Sequence, residues 1–284
     1  MGRQHRYLAA AALTLCAGAA AAACLGNSEV QALMDNYLAR QPAANPEGLS
    51  AAEGECSRTK LLLLLDARFG APVGYKAGLT NPAVQKRFNH DAPVWGALYA
   101  PMLLKSGAVV DAAFGARPLF EADLLVRVSS AVVNQAKTVN DVLAAIDQVI
   151  PFIELPDLVV QAPAKLNGPA IVAINVGARL GVMGTPIAVQ RTAAFSDALR
   201  DMVTIVKADG TEVDRGKGSD VLEHPLNAVV WLAQDLARDG RAMKPGDLIS
   251  LGSFSKLLPP KPGLAVEVQY QGLPGNPVVS VSFK

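Results

Sequence analysis

The chain has 284 residues, of which 51% are hydrophobic, 18% are charged and only 5% are aromatic. This composition excludes a disordered chain and a small disulfide-dense fold, and the length allows one large domain or two small ones. With 26 Lys and Arg against 25 Asp and Glu, the formal net charge is +1. No basic block marks a nucleic-acid partner, so we expect none.

The first 23 residues have the pattern of a secretory signal peptide. Arg3, His5 and Arg6 precede an apolar, alanine-rich run that ends in small residues. An alanine-rich soluble helix and a retained membrane anchor are the alternatives, although no later segment reaches the ~18 consecutive apolar residues that a span requires. We therefore predict export, to the periplasm, of a mature chain that starts near Cys24 and has no stable membrane span.

Two cysteines follow the predicted signal peptide, Cys24 and Cys56. In an oxidising compartment an even pair favours one disulfide, and we expect a bond between these two residues. The alternative is a lipid on Cys24, but the three alanines before it are a poor version of the usual lipidation pattern.

Helical spacing characterises the beginning of the mature chain. Apolar residues between 28 and 38 recur at helical intervals behind Ser28, a suitable N-cap. Residues 41–50 contain two prolines and a glycine and are predicted to form a loop. Residues 57–69, with five consecutive leucines, are predicted to form a buried helix. These segments define a small N-terminal helical lobe over residues 24–72.

Short β-type segments predominate from residue 73 onward and predict an α+β domain over residues 73–284. Two longer windows, 139–150 and 226–239, have helical spacing, and the second begins after His224 and Pro225 and ends at Gly240. The predicted strands are 74–77, 108–110, 122–128, 170–176, 202–207, 247–251, 265–270 and 278–283.

Three carboxylates carry the chemical signal. Glu121 and Asp123 lie two positions apart in a strand-like segment, so they project from the same face. Such a pair beside a core is costly unless a positive group lies between them. Glu154 is a third acid in an apolar segment, and three oxygen donors with water suit Mg²⁺ or Mn²⁺. Most Glu-x-Asp pairs are solvated strand faces, and from the residues alone both interpretations stay open.

Other motifs are weaker. Gly177, Gly181 and Gly184 have the wrong spacing for a dinucleotide-binding loop. His90 and His224 accompany neither a G-x-S-x-G elbow nor a cysteine cluster, which argues against a serine hydrolase and a zinc site. His224, just before a proline at a helix start, fits a structural cap better than a catalytic base.

Taken together, the motifs resemble the 2-keto-4-pentenoate hydratase family of the fumarylacetoacetate hydrolase superfamily. GYKAGLT at 74–80 is similar to the family's GYKxGLT, and the other matching segments follow in family order over residues 28–284. They are P-x-x-G-x-L at 93–98, the E-x-D pair, IEL at 153–155, Asn175 with Gly184, HPLNA at 224–228, WLA at 231–233, PGD at 245–247 and LGSFS at 251–255.

The resemblance implies a mixed β-roll with flanking helices, one Mg²⁺ or Mn²⁺, and a homo-oligomer. The family's substrates are 2-oxo acids, which chelate the metal so that it stabilises an enolate. The residues carried over from the family motifs are Lys76 as the catalytic residue, Glu121, Asp123 and Glu154 as metal ligands, and Leu98, Asn175 and Ser253 at the substrate.

Several positions depart from the family pattern. Val94 and Ile174 replace acids, Gly177 replaces a serine, Asp123 replaces the second glutamate and Glu223 replaces a glycine. We therefore expect fewer polar groups around the substrate than the family pattern has. We predict a metal-dependent lyase, of the hydratase or decarboxylase type, that acts on a 2-oxo acid. A periplasmic protein that binds a carboxylate without turnover and a C–C bond hydrolase of acylpyruvates are the alternatives.

Overall fold

A computed structural model describes residues 24–284, so the predicted signal peptide lies outside the described residues. The helices are α1 (Asn27–Ala39), α2 (Ala51–Phe69), α3 (Pro82–Arg87), α4 (Val139–Ala145), α5 (Gly168–Ala173), α6 (Ala193–Asp201) and α7 (Asn227–Arg238). The strands are β1 (Gly74–Gly78), β2 (Val94–Leu98), β3 (Leu103–Lys105), β4 (Ala108–Val110), β5 (Glu121–Val128), β6 (Ile146–Leu155), β7 (Leu180–Met183), β8 (Ile187–Ala188), β9 (Val203–Ala208), β10 (Thr211–Lys217), β11 (Leu248–Ser250), β12 (Ala265–Gln271) and β13 (Val278–Phe283).

The strands form two sheets. The larger has the order β2-β1-β11-β5-β6-β7-β3, with β8 also paired to β6, and the smaller has the order β10-β9-β12-β13-β4. Parallel pairs (β1 with β11, β3 with β7, β4 with β13) are mixed with antiparallel ones. Strand β5 is central in the larger sheet and buried along nearly its whole length, which explains its continuous apolar run. The structure is thus the predicted α+β type.

The two N-terminal helices pack on the sheets. Apolar side chains of α1 and α2 belong to the same buried cluster as the strands, including Leu33, Leu62 and Leu65. Helix α2 starts earlier than predicted because the Ser50 hydroxyl caps it. A disulfide joins Cys24 to Cys56, with Cα atoms 5.7 Å apart, and ties the chain before α1 to α2. The division into a lobe and a main domain at residue 72 stays a prediction.

Two predicted elements are wrong. Residues 170–176 form α5 and a kinked turn instead of a strand, because the Asn167 side chain caps the helix, accepting a hydrogen bond from the Ala170 amide at 3.0 Å. The predicted helix 139–150 ends at Ala145, where β6 begins. The apolar residues of this segment fit both a helical and a strand periodicity, and from Ile146 onward the segment is a strand because it pairs with β5.

No helix within residues 24–284 has both the length and the apolar character needed to cross a membrane.

Candidate active site

The side chains of Lys76, Glu121 and Glu154, from three strands of the larger sheet, lie close together. They belong to β1, β5 and β6, and none of the three is more than 8% exposed. The β5–β6 ladder places Glu121 directly opposite Glu154. The Lys76 ammonium donates to Glu154 Oε1 and, at 3.0 Å, to the carbonyl oxygen of Val176. On β2 Lys76 is paired with Gly96, where a Cβ atom would lie 2.5 Å from the Asn175 carbonyl oxygen, so β2 packs tightly against the turn at Asn175.

A strained turn presents the Val176 carbonyl to Lys76. Asn175, Val176 and Gly177 have consecutive φ angles of 54°, 52° and 66°, which non-glycine residues rarely adopt. The Asn175 side chain holds the turn to β2, because its Oδ1 accepts from the Ala97 amide at 2.7 Å and its Nδ2 donates to the Ala97 carbonyl at 3.1 Å. Asn175 therefore contributes to the site indirectly, by fixing the turn whose Val176 carbonyl accepts from Lys76.

A cavity of about 100 Å³ opens onto this cluster. The size suits a small organic acid, and the mixture of apolar walls with a few polar groups is typical of ligand sites. Its polar lining is Lys76, Thr80, Asn81, Arg87, Glu121, Ser253 and Ser255, and its apolar lining includes Leu79, Val84, Phe88, Leu158, Ile171, Val176 and Leu257.

The residues predicted to contact the substrate fall in different places. Ser253 lines the cavity. Asn175 and Leu98 are buried outside the cavity lining, and Leu98 ends β2 opposite Gly74. The sequence motifs do not distinguish these positions, because a family motif marks a segment and not the direction of each side chain.

His224 acts as a structural cap. Its Nδ1 accepts a hydrogen bond from the Leu226 amide at 3.1 Å, and its Nε2 lies 3.1 Å from both the carbonyl oxygen and the hydroxyl of Ser196. Burial lowers the pKa of His224 and favours the neutral ring that these contacts require. The side chain does not line the cavity.

Arg87 is a cavity residue that sequence analysis missed. It is an exposed cation of α3, and it takes part in none of the ion pairs formed within residues 24–284. Its position after the GYKAGLT motif was the available signal, but a lone arginine on a short polar helix is not distinctive. It places a positive charge at the cavity, opposite in sign to Glu121.

The acids at the site carry more negative charge than Lys76 can balance. Burial, and secondly the charge of Glu154, raise the pKa values of Glu121 and Asp123 above their usual ranges. A divalent cation would relieve this repulsion, and carboxylate oxygens are suitable ligands for Mg²⁺ or Mn²⁺. Glu121 and Glu154 therefore fit a cation site by charge, donor type and adjacency.

The three predicted ligands do not form a ready triad. Within residues 24–284 no group of three Asp, Glu, His or Cys side chains is arranged to hold an ion. The Asp123 carboxylate is hydrogen-bonded to Ser250 of β11 and to the loop that follows.

The chain resembles known enzymes over most of its length, although no family model matches it. It is 32% identical to 4-oxalocrotonate decarboxylase of Pseudomonas putida, over 71% of this chain and 74% of that protein. It is 31% identical to 2-keto-4-pentenoate hydratase 1 of Dechloromonas aromatica, over 72% of this chain and 75% of that one.

Solved structures agree. The 4-oxalocrotonate decarboxylase of Pseudomonas putida G7, complexed with magnesium and adipate, has a TM-score of 0.81 and 26% identity over 92% of this chain and 100% of its own. A yeast fumarylacetoacetate hydrolase family protein, 15% identical, shares the fold alone, with a TM-score of 0.51 over 74% of this chain and 91% of its own. The predicted fumarylacetoacetate hydrolase-like fold is confirmed.

The fold and the buried Lys–Glu site thus define an enzyme of the fumarylacetoacetate hydrolase-like class. Within that class the chain belongs to the family of 2-keto-4-pentenoate hydratases and 4-oxalocrotonate decarboxylases.

Proposed function

We propose that this enzyme is a metal-dependent lyase, of the hydratase or decarboxylase type, that acts on a 2-oxo acid through an enolate. The observation that carries the proposal is the buried Lys76–Glu154 pair beside Glu121 at a small cavity. Buried groups of opposite and like charge at a cavity are typical of acid–base sites. The names of the relatives, a hydratase and a decarboxylase of unsaturated oxo acids, support the same chemistry.

Mg²⁺ or Mn²⁺, held by Glu121 and Glu154, would supply Lewis-acid stabilisation of the enolate charge. The protein's own groups have separate tasks. Lys76 Nζ, oriented by Glu154 and the Val176 carbonyl, moves a proton to or from the substrate carbon chain. The hydroxyls of Ser253 and Thr80 orient the polar head, and the apolar wall excludes bulk water.

Arg87 suits a substrate with a second carboxylate. A guanidinium recognises a carboxylate by charge-assisted hydrogen bonds, and Arg87 has no ion-pair partner of its own among the described residues. The solved decarboxylase was complexed with adipate, a dicarboxylate. We therefore favour 2-oxo dicarboxylic acids as substrates.

The test is exchange of the C3 protons of a 2-oxo acid with deuterated solvent, followed by NMR. We expect Mg²⁺-dependent exchange in the parent enzyme and a fall of roughly a hundredfold or more in Lys76→Met. Lys105→Met, which removes an exposed lysine of β3, is the matched control. Equal rates in the parent and Lys76→Met contradict a catalytic lysine, and no exchange with any acid of a panel favours a carboxylate-binding protein.

We also propose that the enzyme is exported to the periplasm as a mature chain starting near Cys24. The signal-like pattern of residues 1–23 and the Cys24–Cys56 disulfide, which suits an oxidising compartment, support this location. A homo-oligomer is the assembly that the family resemblance favours, and light scattering of the mature chain tests it.

A further inference from the structure

The Asp123 carboxylate accepts hydrogen bonds from its own strand, from β11 and from the loop that follows β11. Its Oδ2 accepts from the Ser250 hydroxyl at 2.5 Å, and its Oδ1 accepts from the amides of Leu124, Leu251 and Gly252 at 2.5, 3.2 and 3.0 Å. A carboxylate offers about four acceptor positions. Three of these four hydrogen bonds go to Oδ1 and one to Oδ2, so most of the hydrogen-bonding capacity of Asp123 is used within the protein.

The backbone of Asp123 is anchored as well. The Tyr270 hydroxyl, from β12 of the smaller sheet, lies 2.6 Å from the Asp123 carbonyl oxygen. The Asp123 side chain is fully buried, and Asp123 and Glu154 both lie outside the cavity lining that Glu121, two residues before Asp123, belongs to. Aspartate is also one methylene shorter than glutamate, so it reaches less far from the strand.

The loop that Asp123 holds contributes directly to the cavity. Gly252 has a φ of 107°, and a Cβ atom there would lie 2.1 Å from Thr80 Oγ1, so the loop packs tightly on the GYKAGLT segment. Ser253 and Ser255 line the cavity. The Ser255 hydroxyl accepts from the Ala122 amide at 2.9 Å, which is a further link to β5 beside the backbone hydrogen bonds from Leu251 to Leu124 and from Phe254 to Ala122.

We propose that Asp123 is a positioning residue that holds loop 251–255 in place, and that Glu121 and Glu154 hold the cation without it. If the Asp123 carboxylate turned to an ion, the buried amide of Gly252 would lose its acceptor, whereas the Leu251 amide would keep the Leu124 carbonyl oxygen at 3.0 Å. Water can complete the coordination of Mg²⁺ at no such cost. The cation part of this inference rests on the proposed function, and the loop part does not.

Amide exchange in the full mature chain tests the positioning role. With residue-resolved detection, we expect Gly252 to be equally protected with and without saturating Mg²⁺. Asp123→Ala should accelerate the exchange of Gly252 by about tenfold or more and that of Leu251 less, because the Leu124 carbonyl still accepts from the Leu251 amide. Asp123→Asn, which keeps an acceptor oxygen of the same shape, should preserve most of the protection of Gly252. Faster exchange of Gly252 on adding Mg²⁺ to the parent would mean that Asp123 turns to the cation, and it would overturn the proposal.

Calorimetric titration with Mn²⁺ tests the ligand set. We expect Asp123→Asn to weaken binding by no more than about tenfold, and Glu121→Gln or Glu154→Gln to weaken it by more than about a hundredfold. Loss of binding in Asp123→Asn equal to that in Glu121→Gln, with Gly252 still protected, contradicts the proposal. If the parent binds no Mn²⁺, the cation of the proposed function is wrong, and the exchange data for Asp123→Ala still decide the loop role.

Discussion

Glu121 and Glu154 face each other across the β5–β6 ladder, and both are buried. Cross-strand partners have Cβ atoms about 5 Å apart, so two ionised carboxylates repel at such positions unless a proton or a cation separates them. Lys76 pairs with Glu154 and offsets part of the charge. The remaining repulsion adds to burial in raising the pKa of Glu121.

Stability of the metal-free enzyme should fall as the pH rises from 6.5 to 8, because burial and the charge of Glu154 raise the pKa of Asp123 to about 8. The pKa of His224 is lowered from 6.5, so His224 in the folded enzyme titrates below this pH range. A folded state with a raised carboxyl pKa binds protons more tightly than the unfolded chain, so deprotonation costs stability. Mg²⁺ should reduce the fall. Thermal unfolding at stepped pH, with EDTA or Mg²⁺, measures this, and a flat metal-free profile contradicts it.

Glu154→Gln should abolish metal binding while leaving the fold nearly intact. The substitution removes one of three clustered negative charges and keeps the shape of the side chain, so Lys76 still has Glu121 as an acidic neighbour. Glu267→Gln, at an exposed position of β12, is the matched control. Calorimetry and circular dichroism measure the two effects, and equal Mn²⁺ affinity in variant and parent rules out Glu154 as a ligand.

Arg87→Leu should weaken the use of dicarboxylic substrates selectively. Loss of a charge-assisted hydrogen bond should raise KM for a 2-oxo dicarboxylate by about tenfold to a hundredfold and leave the monocarboxylate analogue nearly unchanged. Lys86→Leu removes the neighbouring exposed cation of α3, which does not line the cavity, and should change neither value. Equal effects of the two variants on both substrates would falsify a specific role for Arg87.

Tyr270→Phe should destabilise the enzyme by about 1–3 kcal/mol, because buried polar groups of the backbone lose their partner. The Tyr270 hydroxyl lies 2.6 Å from the Asp123 carbonyl and 2.7 Å from the Phe152 carbonyl, and accepts from the Phe152 amide at 3.1 Å. Tyr37→Phe removes a hydroxyl that donates a long hydrogen bond of 3.4 Å to the Ala178 carbonyl and also lies beside the Arg179 side chain, and it should cost less. Urea unfolding compares the two, and equal losses contradict the expectation.

Removing the Cys24–Cys56 disulfide should lower the stability of the mature enzyme by about 3 to 4 kcal/mol in the chain-entropy description. The bond joins positions 32 residues apart. Unfolding of the parent and of the Cys24→Ser/Cys56→Ser variant, with and without reductant, measures the difference. Intact mass after alkylation checks the bond in exported protein, where two free thiols or a lipid on Cys24 would be the contrary result.

The sequence by itself determined the fold class and singled out the candidate site residues. Strand β13 was predicted with its observed bounds and β5 to within one residue, since continuous or alternating apolar patterns are local properties of a strand. The GYKAGLT segment and the acids at 121, 123 and 154 likewise stood out in the linear pattern. Of these residues, Lys76, Glu121 and Glu154 do come together.

Only the tertiary structure decided what each side chain contacts. Asp123 is bonded to Ser250, 127 positions away, and Lys76 to the Val176 carbonyl, 100 positions away. No local pattern records such pairs, because they depend on which strands become neighbours. The same holds for Asn175, which supports a turn outside the cavity, and for Arg87, which α3 brings to its lining. Periodicity in the chain determines which face of an element is buried, and packing between distant elements determines which buried groups can react.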